Sequence, residues 1–410
     1  GREFGIPKQQ VNKVTGWMDL SVVYGSASDR ATAISSPKNG KIDMQNDGTG
    51  NGDNLAYNLK GIANLNLFGK KLERLVISGD NRVNVQPGLL TQHTLWAREH
   101  NRIVDELLVD HPTMTDRDLF LTARKENIAT YQHIVLYEWL PLLLGTRYIR
   151  TMKLDSYFKS GGYQGNEIDA RVANEFASVA FRFGHSQVTN ELKRLTTELN
   201  TSKHGHLPLR DNYFSPGRVM KQGGIDPILR GMIWTVSQEI DTKAVDGVRN
   251  FLFGTNTKGF DLVAINIQRG RDHGIPNYNA LRIGLGLAEI SAWEDITSDS
   301  EVIGLLKELY GDGSNGKDGF HDMDAFVGGL AEDHVEGGTI GELFAHIIGD
   351  QFFRLRNGDR HWYENTDVSG NKALLNKIKK GTEGTKGTKG TTMMDVIVRN
   401  SRLNPEDQVW

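Results

Sequence analysis

Leu89-Leu90-Thr91-Gln92-His93-Thr94-Leu95-Trp96-Ala97-Arg98-Glu99-His100-Asn101-Arg102-Ile103-Val104-Asp105-Glu106-Leu107-Leu108-Val109 is the stretch that decides the fold class. Leu89, Leu90, His93, Leu95, Trp96, Ile103, Val104 and Leu107 recur at roughly helical spacing, with Arg98, Glu99, Arg102 and Glu106 between them. An apolar stripe of that period belongs to a long amphipathic helix packed on a core. Outward from it, a second long helix is expected from Thr115 or Asp116, a suitable N-cap, to a break at Pro141. A third is expected from Asp169 to about Glu191, with Val172, Phe176, Val179, Ala180 and Phe183 on one face, and a further one from Thr339 to Leu355, ended by Asn357-Gly358.

Residues 1–88 are rich in Gly, Asn and Asp with short apolar pieces such as Val22-Val23-Tyr24 and Leu75-Val76-Ile77, and read as loops and short extended segments. The expected fold is mainly α with few short strands. Lys380 to Thr392 repeats Gly-Thr-x, so residues 380–392 are expected to form a mobile Gly-Thr-rich surface loop within one domain spanning 1–410.

At 410 residues, 38% hydrophobic and 24% charged, the chain has the composition of a soluble protein large enough to bury a cofactor. A net charge of -3 gives no reason to expect nucleic acid or an anionic membrane as partner. The richest apolar stretch, Ile134 to Leu144, is broken by Glu138 and Pro141, well short of the ~20 residues of a transmembrane helix. Cysteine is absent, which excludes disulfides, thiolate heme ligation, iron-sulfur clusters and Cys-based zinc sites together. A metal here is held by His, carboxylates, hydroxyls or carbonyls.

Four clusters carry chemistry. His185 ends Phe181-Arg182-Phe183-Gly184-His185, where Gly184 lets a flat cofactor approach and two Phe rings can wall it; alone, the motif reads first as that of a satisfied core histidine. Asn266-Ile267-Gln268-Arg269-Gly270-Arg271-Asp272-His273-Gly274 follows directly on the apolar Phe260 to Ile265 and suits an anion or propionate, against the alternative of a solvated basic loop. Ser78-Gly79-Asp80-Asn81-Arg82 sets Arg82 at the entrance of the first long helix, with an Asx turn and an exposed Arg as the plainer reading. In Thr15-Gly16-Trp17-Met18-Asp19-Leu20-Ser21, alternate oxygens from Thr15, the Trp17 carbonyl, Asp19 and Ser21 suit one hard cation such as calcium, or simply a polar loop.

In this order the clusters resemble the animal heme peroxidases of the peroxidase-cyclooxygenase superfamily, the myeloperoxidase- and peroxidasin-like proteins. The specific pieces are Met18 to Ser26, Gly79 to Arg82 followed by Arg98-Glu99-His100-Asn101, Phe181 to His185, Gly223-Gly224-Ile225-Asp226-Pro227, and Asn266 to Gly274. The resemblance implies helices around a buried heme b and a resident Ca2+. It makes His185 the proximal ligand of heme iron and Asn266 the hydrogen-bond partner of its other ring nitrogen. Arg182 and Arg269 match arginines near the proximal side and the propionates, and Arg82 matches the distal arginine that stabilises charge as the peroxide bond breaks. Thr15, Trp17, Asp19 and Ser21 match calcium ligands, while His100 and His273 match structural positions.

Three departures accompany it. The family's distal histidine and the Asp that completes the calcium site lie upstream of the Thr15 motif, yet only fourteen residues precede Thr15 here and none is His. An N-terminal or light-chain segment is therefore expected as partner, consistent with a start at Gly1-Arg2-Glu3-Phe4 that has neither Met nor signal peptide; the alternative is a truncated or degenerate homologue. Val85 and Gln86 stand where the most oxidising members carry a Glu and a Met that bond covalently to heme. The missing cysteines depart from the disulfide-rich secreted members and look more like a bacterial or atypical relative.

The expected function is reduction of hydrogen peroxide with oxidation of small anions (iodide, bromide, thiocyanate) or phenols. The rivals are a heme fatty-acid dioxygenase, for which Tyr131 and Tyr137 are radical candidates, and a non-catalytic adhesive homologue. An extracellular or extracytoplasmic location goes with the resemblance, and Asn200-Thr201-Ser202 is a glycosylation sequon compatible with it.

Overall fold

The computed structural model describes residues 7, 9–35, 38–46, 52–254, 259–311, 319–381 and 390–404. The founding helix runs Pro87–Asp110. Gln86, in extended conformation, accepts from the Gly88 N–H through Oε1 at 2.6 Å, and Pro87 opens the first turn where its missing N–H costs nothing. Leu90, His93, Leu95, Trp96, Ile103 and Val104 of the stripe are buried and Leu89 and Leu107 partly so, while Arg98 and Glu99, placed between them, are buried as well.

Thr115 caps the next helix, Asp116–Ile134, by accepting from the Asp118 N–H. Pro141 does not end it. A π-helical turn over Val135–Trp139 leads into a further helix, Leu140–Thr151, with Pro141 in its first turn. The wider turn relieves the clash between the proline ring and the carbonyl four residues back, so the chain continues where a regular α-helix would stop. The bend comes later, at Gly145 (φ 72°), where a Cβ would lie 2.4 Å from the Glu336 carbonyl oxygen.

The expected third helix, 169–191, is also corrected. It is a short helix, Asn174–Ser178, then a break at Val179 (φ -130°, ψ -77°) and a tight 3-10 stretch, Ala180–His185. Arg182 Nε donates to the Ala177 carbonyl at 3.0 Å, taking the place of a helical N–H, so the turn can tighten without leaving that carbonyl bare. The Asn266 to Gly274 cluster, expected to suit an anion with a solvated basic loop as the alternative, begins inside a helix, Leu262–Asp272, capped by Asp261 through the N–H groups of Val263 and Ala264. The last long helix spans Glu342–Gly358.

In the N-terminal part, Val22, Val23 and Tyr24 lie in a helical turn, Ser21–Tyr24, rather than an extended piece. Among the described residues, strands are confined to two antiparallel pairs, Met44–Gln45 with Asn54–Leu55 and Glu191–Leu192 with Leu207–Pro208. The fold is mainly helical, as expected. Of the 380–392 loop, residues 382–389 lie outside the described residues; Lys380 closes the helix Asn371–Lys380 and Thr392 caps Met393–Asn400 in a capping box with Asp395.

The largest apolar core gathers Leu140, Leu143, Phe176, Phe183, Phe344 and Trp362. A second forms around Tyr24, Leu95, Trp96 and Val396, with Tyr131 packed against both. The turn that carries His185 is seated on the first core through Phe183, Val179 and Ala180.

Candidate active site

The break at Val179 aims the end of the Ala180–His185 turn at the helix Leu262–Asp272. Asn266, fully buried on that helix, brings its amide nitrogen to 2.7 Å from Nδ1 of His185. Arg182 Nη1 donates to Asn266 Oδ1 at 3.1 Å, so one amide holds both the ring and the guanidinium. Burial, helped by the charge of Arg182 and opposed by Asn266, pushes the His185 imidazole down to about 4. It is neutral at pH 7, so only one of its two ring nitrogens carries a proton.

Arg182 lies in the field of Arg269: burial and then that like charge lower its pKa, and neither guanidinium has a carboxylate partner among the described residues. Two close cations without counter-charges behind a neutral histidine suit a ligand that brings carboxylates of its own.

In front of His185 opens a cavity of about 480 Å³, lined among others by Val85, Gln86, Gln187, Leu192, Tyr213 and Met232. Beside the turn, Phe181 is 44% exposed, stacked on Phe176 and edge-on to Trp139, an aromatic wall that lacks a cover. Arg82 is not among the cavity's lining residues. Asp80 grips it instead: Oδ1 accepts from its backbone N–H at 2.7 Å and from Nε at 3.0 Å, and Oδ2 from Nη2 at 2.7 Å. Burial opposes ionisation of Asp80, yet these bonds and the charge of Arg82 hold its carboxyl below the usual range. The Asx turn and the Arg82 side chain are thus one arrangement, with Nη1 left over.

The Thr15 loop is folded on itself. Thr15 Oγ1 accepts from the Trp17 N–H at 3.1 Å and Asp19 Oδ1 from the Ser21 N–H at 3.0 Å. No group of three or more His, Asp or Glu side chains converges on a metal position among the described residues. His100 and His273 are structural: Nδ1 of His100 meets the Tyr24 hydroxyl at 3.0 Å, and Nδ1 of His273 meets Asn174 Oδ1 at 2.7 Å. Neither Tyr131 nor Tyr137 lines the cavity. Tyr213, which lines the cavity, is missed because nothing local in the sequence marks it, and Asp80 enters there only as part of a turn, without its bonds to the Arg82 side chain.

Two buried histidines give a pH dependence. Burial pushes His93 and His100 down from 6.5 to about 4. The unfolded chain therefore takes up protons that the fold refuses between these values, so stability is full above about 6.5 and declines as pH falls toward about 4. The thermal midpoint is expected to be flat from pH 7 upward and to fall below about 6.5, before carboxylates titrate; no decline between pH 6.5 and 5 would contradict it.

A helical fold in which a buried amide orients a neutral histidine beneath an open apolar cavity, with two unpaired arginines alongside, has the donor set of a histidine-ligated heme protein. The profile described as Animal haem peroxidase matches residues 1–406. The chain belongs to this family. It is 37% identical to peroxinectin A of Dictyostelium discoideum over 88% of this chain, and 36% identical to the human peroxidasin homolog over 91%. The chain spans 64% and 25% of those proteins' lengths. The solved structure of peroxidase A from Dictyostelium discoideum aligns with a TM-score of 0.80 at 34% identity, covering 96% of this chain and 70% of that one. A fatty acid alpha-dioxygenase of Arabidopsis thaliana aligns with a TM-score of 0.67 at 23% identity over 88% of this chain and 58% of that one, a likeness of fold alone.

Proposed function

We propose that the chain is a heme peroxidase that reduces hydrogen peroxide and oxidises small anions or phenols. The observation that carries the reading is the His185–Asn266–Arg182 arrangement beneath its cavity. A bound heme supplies the redox chemistry; the residues bind it, orient it and handle protons and charge.

His185 Nε2 is the iron donor. As Asn266 stands, Oδ1 is occupied by Arg182 and the amide N–H groups face Nδ1, which places the ring proton on Nε2. Ligation through Nε2 needs the opposite tautomer, with Nδ1–H donating to Oδ1. A half-turn of the Asn266 amide would make the exchange if Arg182 turned from it, and Arg182 and Arg269 are the residues that would hold the propionates of a bound heme. Arg82, steadied by Asp80, offers Nη1 to oxygen that gains charge. The proton shuttle comes from a segment outside residues 1–410, as the family resemblance implies. Heme-loaded protein should consume hydrogen peroxide in the presence of iodide or a phenol; heme-loaded protein together with that segment showing neither reaction would sink the reading.

Val85 and Gln86 line the cavity but cannot form an ester or sulfonium bond. Acidic organic solvent is therefore expected to release heme, unless an ester forms through the absent Asp. Without those bonds, a lower potential follows, with iodide, bromide, thiocyanate and phenols oxidised and chloride poorly so. Efficient hypochlorite production would refute the argument.

We propose further that Thr15, the Trp17 carbonyl, Asp19 and Ser21 contribute oxygens to Ca2+. Chelation is expected to lower activity and release about one calcium per heme, and active protein free of calcium by elemental analysis would remove the idea. Location outside the cytoplasm belongs to the same proposal.

A further inference from the structure

A second cavity, of about 670 Å³, is lined by Phe214, the chain neighbour of Tyr213, which lines the cavity in front of His185. Five cations line it, Lys70, Lys71, Arg74, Arg218 and Lys221, against one carboxylate, Glu73. In a chain whose net charge is -3, that is a strong local excess of positive charge. None of the five forms an ion pair with a carboxylate among the described residues.

The arrangement is built rather than incidental. Lys71 precedes and Arg74 ends the 3-10 turn Leu72–Arg74, and Arg218 and Lys221 follow Pro216 in a second lining segment. Lys70 is half-buried, with Nζ donating to the Phe214 carbonyl and lying 3.5 Å from Ser215 Oγ. Phe214 is itself held at φ 52°, a conformation disfavoured for a bulky side chain, with its N–H donating to the Val85 carbonyl at 3.2 Å. Burial and the nearby charge of Arg218 both lower the pKa of Lys70. Packing like charges around an open cavity costs stability unless an anion offsets the repulsion. Tyr57 and Phe214 add an apolar wall, and the volume exceeds what one small inorganic anion fills.

We propose that this cavity binds a ligand carrying two or more phosphate or sulfate groups on a carbon skeleton, at a site separate from the peroxidase centre. Oxyanions would be shared between Arg74 and Arg218, which suit forked hydrogen bonds, and Lys71 and Lys221, which act as point charges. The inference does not depend on the heme reading.

The test is calorimetric titration of the full chain, at low ionic strength, with pyrophosphate and separately with a sulfated disaccharide from heparin. Saturable 1:1 binding of either probe is expected, weakening as salt rises. Arg218→Glu combined with Lys221→Glu should weaken it by at least about tenfold, while Lys159→Glu, an exposed charge reversal outside the cavity, should not. Preference for pyrophosphate identifies phosphate as the recognised group, and preference for the disaccharide identifies sulfated glycans. No binding of either probe, or equal weakening in the Lys159→Glu protein, overturns the proposal.

Discussion

Replacing His185 by alanine is expected to abolish heme binding while leaving the apoprotein folded. His185 is half-buried at the end of the Ala180–His185 turn, and the apolar anchors of that turn are Phe183, Val179 and Ala180, none of which the substitution touches. The imidazole contributes its lone pair and its contact with Asn266, so the loss falls on the ligand. Removing a partner behind a metal ligand costs roughly 10–100-fold in affinity, so Asn266→Ala should retain weak heme binding and His185→Ala should lose on the order of 100-fold or more. Heme titration followed by Soret absorbance reads both, with far-ultraviolet circular dichroism as the control for folding. In His185→Gly, added imidazole should restore part of the band by occupying the vacated space. A Soret band in His185→Ala equal to that of the parent would mean that another residue ligates the iron.

That His185 could be singled out from sequence as the candidate ligand, and its surroundings only partly, has a physical reason. The long helix at Pro87–Asp110 has an apolar stripe and is readable from spacing, whereas Phe181 to His185 is a short local motif whose histidine stood out only through its resemblance to the family pattern. The helix Leu262–Asp272 has no such stripe: its fully buried members are Asn266 and Gly270, four residues apart on one face but polar and small. A helix that buries an amide and a glycine leaves no mark in hydrophobic periodicity, and its run of Gln, Arg and Asp reads as a loop. The third helix failed in the opposite sense. Val172, Phe176, Val179, Ala180 and Phe183 keep helical spacing across a break that Arg182 creates by capping Ala177, and side-chain hydrogen bonds of that kind are not periodic. Contacts between distant segments left no trace either, as with Tyr213 at the His185 cavity and Lys70 on the carbonyl of Phe214, 144 residues away.

Arg282→Met is expected to be among the most destabilising single changes in the chain. Arg282 is buried at the end of the helix Tyr278–Gly284, where Nη1 binds Glu332, Nη2 binds Glu342 and Nε donates to the Ala288 carbonyl at 3.0 Å. Glu332 is equally buried, and accepts from the Tyr278 hydroxyl at 2.6 Å and from the Leu343 N–H at 2.7 Å. Burial raises the Glu332 carboxyl above its ordinary range even with Tyr278, Arg282 and Leu343 opposing the shift. Methionine fills much of the space of the arginine stem but leaves that carboxylate without a counter-charge. Breaking a buried pair from one side typically costs about 3–5 kcal/mol, because the remaining charge is stranded. The sign of the pH effect follows: with its folded pKa raised further, Glu332 is tolerated when protonated, so the deficit should be largest near pH 7 and shrink as pH falls toward the carboxylate range. Adding Glu332→Gln to Arg282→Met removes the stranded charge and should recover part of the loss, a non-additivity that a double-mutant cycle measures. The consequence reaches the site, because the helix Ala325–Ala331 that packs on Tyr278–Gly284 also packs on the turn bearing His185. Denaturant titration at pH 7 and pH 5 is the measurement, and an Arg282→Met midpoint indistinguishable from the parent's at both would show that the pair is not what holds these helices together.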